Sequence, residues 1–383
     1  MLLRDSIQER GERFDWALFI VVAIIAAVGV VNLYSATSVY TQSRSDLYVS
    51  QFYFLVAGAA LGGLVVVLDP RHLERFAYVL YAAGVLSLVL VLALAKDIRG
   101  SARWINIGSF GFQPSEFMKL WLVLALAKHF HDSPRTDQPK YLKELAVPAV
   151  MAVVPVLLVL KQPDLGTSLI LALVFVSIVA LQRIRWQSVL LLVVILGIGL
   201  PLVYSYGLKG YQLARIESFL DPESDITGIG YHAHNARIAI GNGGLFGQGY
   251  MKGTQNQYYF LPDQFSDFPF PVFAEDWGFI GSFVLIVLYS FLVLWAVRIA
   301  SQAKDRFGAV VAVGVGSMIF WHAFFNLGMV TGLLPVVGVT LPLFSYGGSS
   351  VITILLGCGL LMNVSMRRPY VAPVRSAHAV YVR

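Results

Sequence analysis

The feature that most limits how this chain can fold is the recurrence, along its whole length, of continuous apolar stretches close to a membrane's thickness. A helix of about 20 residues crosses the roughly 30 Å hydrocarbon core of a bilayer. Ten stretches are read as spans, over about 15–34, 51–68, 75–95, 115–131, 144–160, 165–182, 186–206, 271–297, 307–330 and 349–366. Inside lipid every backbone N–H and C=O must be paired within the protein, which leaves helices and closed barrels. A barrel would show short segments of alternating polarity, and these runs are apolar throughout. The expected class is an all-α polytopic membrane protein of about ten transmembrane helices, folded as one membrane domain over 1–383. A hydrophobic content of 57% and a mean hydropathy of +0.71 agree with it. The first stretch is read as a span rather than a cleaved leader, because it is span-length and no small-residue cleavage site follows.

The charges then give an orientation. Eighteen lysines and arginines fall on the side of the N-terminus and nine on the other, with Lys119 inside a span. The positive-inside rule puts both termini in the cytoplasm, and 367–383 becomes a basic cytoplasmic tail. It puts one large loop, about 207–270 between helices 7 and 8, outside the cytoplasm, together with 96–114 and 331–348. The net charge of +6 is an orientation signal with some attraction to anionic membrane lipid, not a nucleic-acid footprint. Cys358 is the single cysteine, so there is no disulfide framework and no thiolate metal site. No phosphate-cradling P-loop is present, so ATP-driven function is not expected.

Charged residues make up 13% of the chain, against about a quarter in ordinary domains. Carboxylates gathered beside a span therefore point to chemistry at the membrane surface. The run 260–278, FLPDQFSDFPFPVFAEDWG, holds Asp263, Asp267, Glu275 and Asp276. Asp263 reads as a positioning or capping residue. Glu275 and Asp276 are expected within the start of a helix, where the macrodipole favours acids.

The fourth span is entered through Pro114 and Ser115, a helix start and its cap. Glu116 and Lys119, three apart, share a helix face and pair within the membrane, either as part of a site or as a brace between helices. Arg103-Trp104 reads as an interfacial anchor or as a phosphate-binding surface. Asp164 lies in the outer turn 161–167, as the cap of the next helix or as a site residue. The glycines of 241–249 allow close backbone approach to a ligand or simply a folded loop. They lack the G-x-G-x-x-G context of a nucleotide site. His232 and His234 have no obvious third ligand, so no metal site is assigned. The uncharged segment 331–350, TGLLPVVGVTLPLFSYGGSS, reads as a re-entrant, groove-lining stretch or as a loop dipping into lipid.

Taken together, these strings resemble the SEDS family (shape, elongation, division and sporulation), and its RodA-type branch. The resemblance runs over nearly the whole chain. It is carried by GSARWINIGSFGFQPSE (100–116), QPDLGTS (162–168), LDPESD (220–225), GIGYH (228–232) and IAIGNGGLFGQG (238–249). GTQNQYYFLPDQFSDF (253–268), AEDWGFIG (274–281), NLGMVTGLLPVVGVTLPL (326–343) and SYGGSS (345–350) complete it. The resemblance implies a peptidoglycan glycosyltransferase that polymerises lipid II during cell elongation, working on the outer face of the bacterial cytoplasmic (inner) membrane. It also implies a class B penicillin-binding protein as crosslinking partner, other elongation-complex proteins, and no nucleic acid.

In this family the catalytic acid is the Asp of a His-Thr-Asp-Phe string that follows Phe-Leu-Pro-Glu. Here the strings read Phe265-Ser266-Asp267-Phe268 and Phe260-Leu261-Pro262-Asp263, so Asp267 takes the catalytic role. Trp104, Glu116, Lys119 and Asp164 match functionally sensitive family positions, and Arg215 a basic position of the long loop. With Arg103 these are the substrate-binding candidates. Asn235 and Ala236 stand where the family has Gln-Ser, and Phe265 where it has His; no role is carried to these three.

The implied reaction needs a carboxylate near the attacking sugar hydroxyl and positive charge near the departing diphosphate. Arg103, Lys119 and Arg215 are candidates for the second task, and a divalent cation, Mg or Mn, for a share of it. Two other classes compete: a flippase or transporter for the same lipid, and a non-catalytic scaffold that activates the crosslinking partner.

Overall fold

The computed structural model describes residues 14–38, 46–94, 103–107, 110–133, 142–182, 215, 219, 229–258, 260–261 and 264–368. The helices are α1 (Trp16–Thr37), α2 (Leu47–Val67), α3 (Pro70–Leu94), α4 (Pro114–Asp132), α5 (Ala146–Lys161), α6 (Leu165–Ala180) and α7 (Ile229–Asn242). They continue with the one-turn α8 (Thr254–Gln257), α9 (Pro269–Ser301), α10 (Arg306–Val330) and α11 (Gly348–Met366). Among the described residues seven segments are long and apolar enough to cross a membrane, so the chain is a multi-pass membrane protein. α4 is not among the seven because Glu116, Lys119 and Lys128 interrupt its apolar run. α6 is apolar but shorter. Helices thus occupy nine of the ten expected spans; the one expected over 186–206 lies outside the described residues, as do 220–225, Asp263 and the tail beyond 368.

Burial sorts the helices into a centre and a periphery. The apolar windows of α10 and α11 are 67% and 78% buried, against 17% for α2 and 22% for α3. The apolar side chains left outside, such as Phe52, Val56 and Leu64 on α2, face where lipid would lie. α11 packs along α2 with backbone contact. A Cβ on Gly359 would lie 2.5 Å from Gly62 O, and one on Gly62 would lie 2.7 Å from Leu355 O. Gly58 and Gly62 form the small-xxx-small stripe that permits such approach. Polar clamps close both ends of this pair. Asn363 Nδ2 lies 2.8–3.0 Å from the carbonyl oxygens of Val65 and Val66, at the end of α2, and of Leu68 just beyond it, and donates its two hydrogens among them. At the other end Gln51, fully buried, donates to Ser345 O at 2.9 Å and accepts from Gly347 N at 3.3 Å.

The end of the bundle with Asp15 is stapled by that side chain. Asp15 caps α1 through Leu18 N (3.2 Å) and accepts from Trp295 Nε1 on α9 (2.9 Å), Ser365 Oγ on α11 (2.6 Å) and Arg368 Nη2 (3.0 Å). Burial pushes this carboxyl up, but the bonds from Ser365, Trp295 and Leu18, with the charge of Arg368, outweigh it and hold the group below its ordinary value.

At the opposite end the connections carry structure of their own. The 96–114 connection contains a two-stranded antiparallel hairpin, β1 (Ile105–Ile107) and β2 (Phe110–Phe112), with Ile105 opposite Phe112. The expected loop 207–270 contains α7 and α8. Helix α9 begins at Pro269 and breaks at Gly278, whose φ of +67° suits glycine alone. The glycine-rich stretch after α7 enters this break. Gln248 N and Gly249 N donate to the carbonyls of Glu275 and Asp276, while Phe279 N and Ile280 N donate to the carbonyls of Gly244 and Leu245. A Cβ on Gly278 would sit 2.7 Å from Leu245 O. The glycines therefore serve close approach of backbone to backbone. Beyond the break, 279–301 is about 35 Å long at 1.5 Å per residue, enough to cross a bilayer alone.

The break corrects the expectation for Glu275 and Asp276. They stand at the C-terminal end of 269–277, where the helix dipole gives acids no support. Donors from α1, from α8 and from the turn before α8 hold them instead. Asp276 accepts from Ser35 Oγ (2.5 Å) and Met251 N (3.3 Å); Glu275 accepts from Gln255 N and Thr254 Oγ1, both at 3.1 Å. Each is almost fully buried.

Candidate active site

Asp267 ends a tight turn over 264–267, with Phe268 capping α9 and Pro269 in its first position. A proline there fixes φ where no backbone donor is needed, so the turn delivers the carboxylate at a defined helix start. Gln264, fully buried, anchors the turn to α1 by donating to Ala36 O at 2.7 Å. The Phe268 ring stacks on His232 of α7 at 6.0 Å between centroids. Asp267 itself is half-buried. An ideal Cβ on Gly338 would lie 3.3 Å from Asp267 Oδ2 and 3.9 Å from Arg215 Nη1. The carboxylate and the guanidinium, far apart in sequence, thus meet at one glycine.

Gly338 belongs to an irregular segment, 331–347, which departs from ordinary loop behaviour. Residues 341–345 are buried. Buried non-helical backbone needs partners, and side chains from several helices supply them. Tyr289 Oη donates to Pro342 O at 2.6 Å, Asn326 Nδ2 to Val339 O at 2.7 Å, and Gln51 bonds Ser345 and Gly347 as above. Tyr346 N donates to Phe265 O at 2.8 Å, which joins the segment to the Asp267 turn. Phe265 also sets its ring against Tyr346. The segment 331–347 is thus packed among helices, with its buried backbone paired to protein groups.

Glu116 and Lys119 pair as their spacing predicts, with Nζ 2.8 Å from Oε2. A third member was not foreseen: His322 of α10 places Nε2 2.8 Å from Lys119 Nζ, and its Nδ1 lies 3.1 Å from Thr340 O. Lys119 is 0% exposed. The ammonium is enclosed between α4 and α10 rather than open to a phosphate, and it reaches the Asp267 region through the 338–340 segment.

Asp164 accepts from Thr167 N at 3.1 Å and Thr167 Oγ1 at 3.0 Å, capping α6, and from Gln113 Nε2 at 3.2 Å. Arg103 lies 3.8 Å from Asp164 and donates to Gln162 O at 3.2 Å and to Pro163 O. This group ties the hairpin to the 162–164 turn. Gln113 N in turn donates to Ser349 Oγ at 3.0 Å, at the start of α11. Trp104 is 40% exposed beside it. Two assemblies therefore emerge. Asp267 and Arg215 meet at Gly338, with Glu116 and Lys119 coupled in through His322; Arg103 and Asp164 form a neighbouring brace. Asn235 bonds back to Tyr231 O at 3.0 Å within α7, and Ala236 is buried. Among the described residues no three His, Cys, Asp or Glu side chains converge as metal ligands.

A family model described as Cell cycle protein, covering FtsW, RodA and SpoVE, matches residues 15–370. The chain belongs to the FtsW/RodA/SpoVE family. Among curated members of that family, the peptidoglycan glycosyltransferase MrdB of Escherichia coli K12 is 38% identical over 88% of this chain and 90% of its own length. The peptidoglycan glycosyltransferase RodA of Treponema pallidum is 31% identical over 93% of this chain and 98% of its own. Two solved structures share the architecture. One, from work on how a peptidoglycan synthase complex coordinates polymerization and crosslinking, superposes with a TM-score of 0.79 at 34% identity, covering 93% of this chain and 98% of that one. The rod shape determining protein RodA of Thermus thermophilus gives 0.69 at 32% identity, covering 93% and 97%.

Proposed function

We propose that this FtsW/RodA/SpoVE member is a peptidoglycan glycosyltransferase that polymerises lipid II for rod-shaped growth, with Asp267 as general base. The observation that carries the reading is the meeting of the Asp267 carboxylate and the Arg215 guanidinium at Gly338. Relatives named peptidoglycan glycosyltransferase, similar over nearly their whole length, supply the reaction class. In the reaction a sugar hydroxyl of one substrate attacks the anomeric carbon of another. The carbon–oxygen bond to undecaprenyl diphosphate breaks, and its electron pair leaves with the diphosphate. The hydroxyl proton passes to the Asp267 carboxylate, as general base catalysis requires within hydrogen-bond reach. Arg215, always charged and forked to match phosphate oxygens, receives the charge developing on the leaving group.

The remaining site residues act around that centre. Arg103, Trp104 and Asp164 border the same end of the bundle, where the sugar or its diphosphate would enter; Glu116 and Lys119 support the segment from below. A divalent cation, Mg or Mn, belongs to the same proposal and would arrive on the substrate's diphosphate. The site faces outward across the cytoplasmic membrane, following the excess of basic residues on the side of the termini. An impermeant thiol reagent reaching Phe246→Cys only from outside intact cells would agree with that orientation. A class B penicillin-binding protein is the expected partner, alongside other elongation-complex proteins; the similar synthase complex that coordinates polymerization with crosslinking supports this.

A transport reading has the broken helix α9 in its favour, since transporters bind cargo at such breaks. Here four backbone groups at the break, the carbonyls of Glu275 and Asp276 and the amides of Phe279 and Ile280, are already bonded to 244–249, which weakens that reading.

The deciding experiment follows labelled lipid II with the purified chain and its partner, comparing Asp267→Asn with the unaltered protein. Glycan strands are expected to vanish while the melting temperature stays unchanged. Strands of ordinary length from Asp267→Asn would sink the assignment, and a full rate under chelator would remove the cation from it.

A further inference from the structure

His322 and Asn326 stand one turn apart on α10, on the same helix face, and are 2% and 0% exposed. Each holds one half of the candidate site. Lys119 Nζ approaches both Glu116 Oε2 and His322 Nε2 at 2.8 Å. An ammonium has no lone pair, so Nε2 accepts and the ring proton sits on Nδ1. Nδ1 then donates to Thr340 O at 3.1 Å. One turn along, Asn326 Nδ2 donates to Asp267 O at 2.9 Å and to Val339 O at 2.7 Å. The two side chains therefore grip adjacent carbonyls, 339 and 340, of the segment whose Gly338 lies against Asp267 and Arg215. Between the two grips runs an unbroken helical turn, the stiffest spacer a protein offers at that length.

Resting on the reading of Asp267 as general base, we infer that His322 and Asn326 are a positioning pair that fixes the Asp267 carboxylate relative to the Glu116–Lys119 pair. Neither touches the reacting atoms. Their effect is geometric: a displacement of about 1 Å at a reacting group costs on the order of a hundredfold in rate. The amide of Asn326 matters because its two hydrogens serve two carbonyls; a hydroxyl serves one, and an aliphatic chain none.

The test uses the full chain with its crosslinking partner, purified in detergent and polymerising labelled lipid II. The rate constant kcat, KM and the melting temperature are read for Asn326→Leu, His322→Phe, the double variant and Asp267→Asn. Each single variant is expected to lose about tenfold or more in kcat with KM within about twofold, since placement rather than binding is disturbed. The double variant is expected to lose far less than the product of the single losses, because both act through one spacer. Unaltered kcat in either folded variant overturns the pair, as do a raised KM at constant kcat and losses that multiply. If Asn326→Leu does not fold, Asn326→Ser replaces it, with an intermediate loss expected. Full activity of Asp267→Asn would sink the general-base reading itself. An inactive Asp267→Asn beside unaffected His322→Phe and Asn326→Leu sinks the positioning pair alone.

Discussion

Lys119 illustrates how little of a buried charge's role can be judged from its own neighbourhood in sequence. Its spacing from Glu116 makes the pair readable, because residues three apart share a helix face. The His322 contact joins residues 203 positions apart and has no local signature beyond a histidine set in an apolar run. The same holds for Asn326: a polar residue within a span marks something, but only the fold says what it holds. Removing Lys119 strands a carboxylate and an imidazole in a closed space. Lys119→Met is expected to cost about 3–5 kcal/mol, the penalty for breaking a buried pair by deleting one partner. Lys252 is exposed, and Lys252→Ala is expected to stay within about 0.5 kcal/mol. Melting curves and polymerisation rates for the two variants check this; equal losses would deny Lys119 its special place.

At the scale of elements, the stretch 241–249 and helix α9 can only be understood together. The glycines were legible as positions of close approach, but their partner was not, since the helix break has no sequence mark other than one further glycine. Gly278 carries it. A side chain there meets Leu245 O and must adopt a φ of +67°, which costs of the order of 1–3 kcal/mol for the backbone alone. Gly278→Ala is expected to lower the melting temperature and to speed amide exchange at Gln248 and Gly249, which donate to the break. Unchanged exchange at those two amides would refute the interlock. The acids beside the break were misplaced by sequence reasoning for a related reason: without the break, Glu275 and Asp276 look like residues near the start of a single long helix.

For the whole molecule, the class and most of the spans follow from apolar length alone, because lipid leaves backbone few ways to cross it. The centre-and-periphery arrangement does not follow, since α2 and α11 are similarly apolar yet differ greatly in burial. Asp15 is where distant parts of the chain are joined at one end of the bundle, and its charge makes that junction sensitive to acid. Its carboxyl titrates below the ordinary value of 3.8. The stabilisation is thus fully present above that value and is lost as pH falls through the depressed one. Asp15→Asn is expected to cost about 1–3 kcal/mol at neutral pH and to flatten the fall in melting temperature on acidification. A variant with an unaltered acid slope would remove Asp15 from that role.

The clamp of Asn363 on the end of α2 has a consequence for how the protein is made. The carbonyls it covers belong to residues some 298 positions earlier. At roughly 5–20 residues per second, synthesis leaves those carbonyls and the Gly58–Gly62 groove without their final partner for roughly 15–60 s. During that interval α2 has been inserted but not paired with α11. The nascent chain therefore depends on lipid, or on the insertion apparatus, to occupy the groove until its own C-terminal helix arrives.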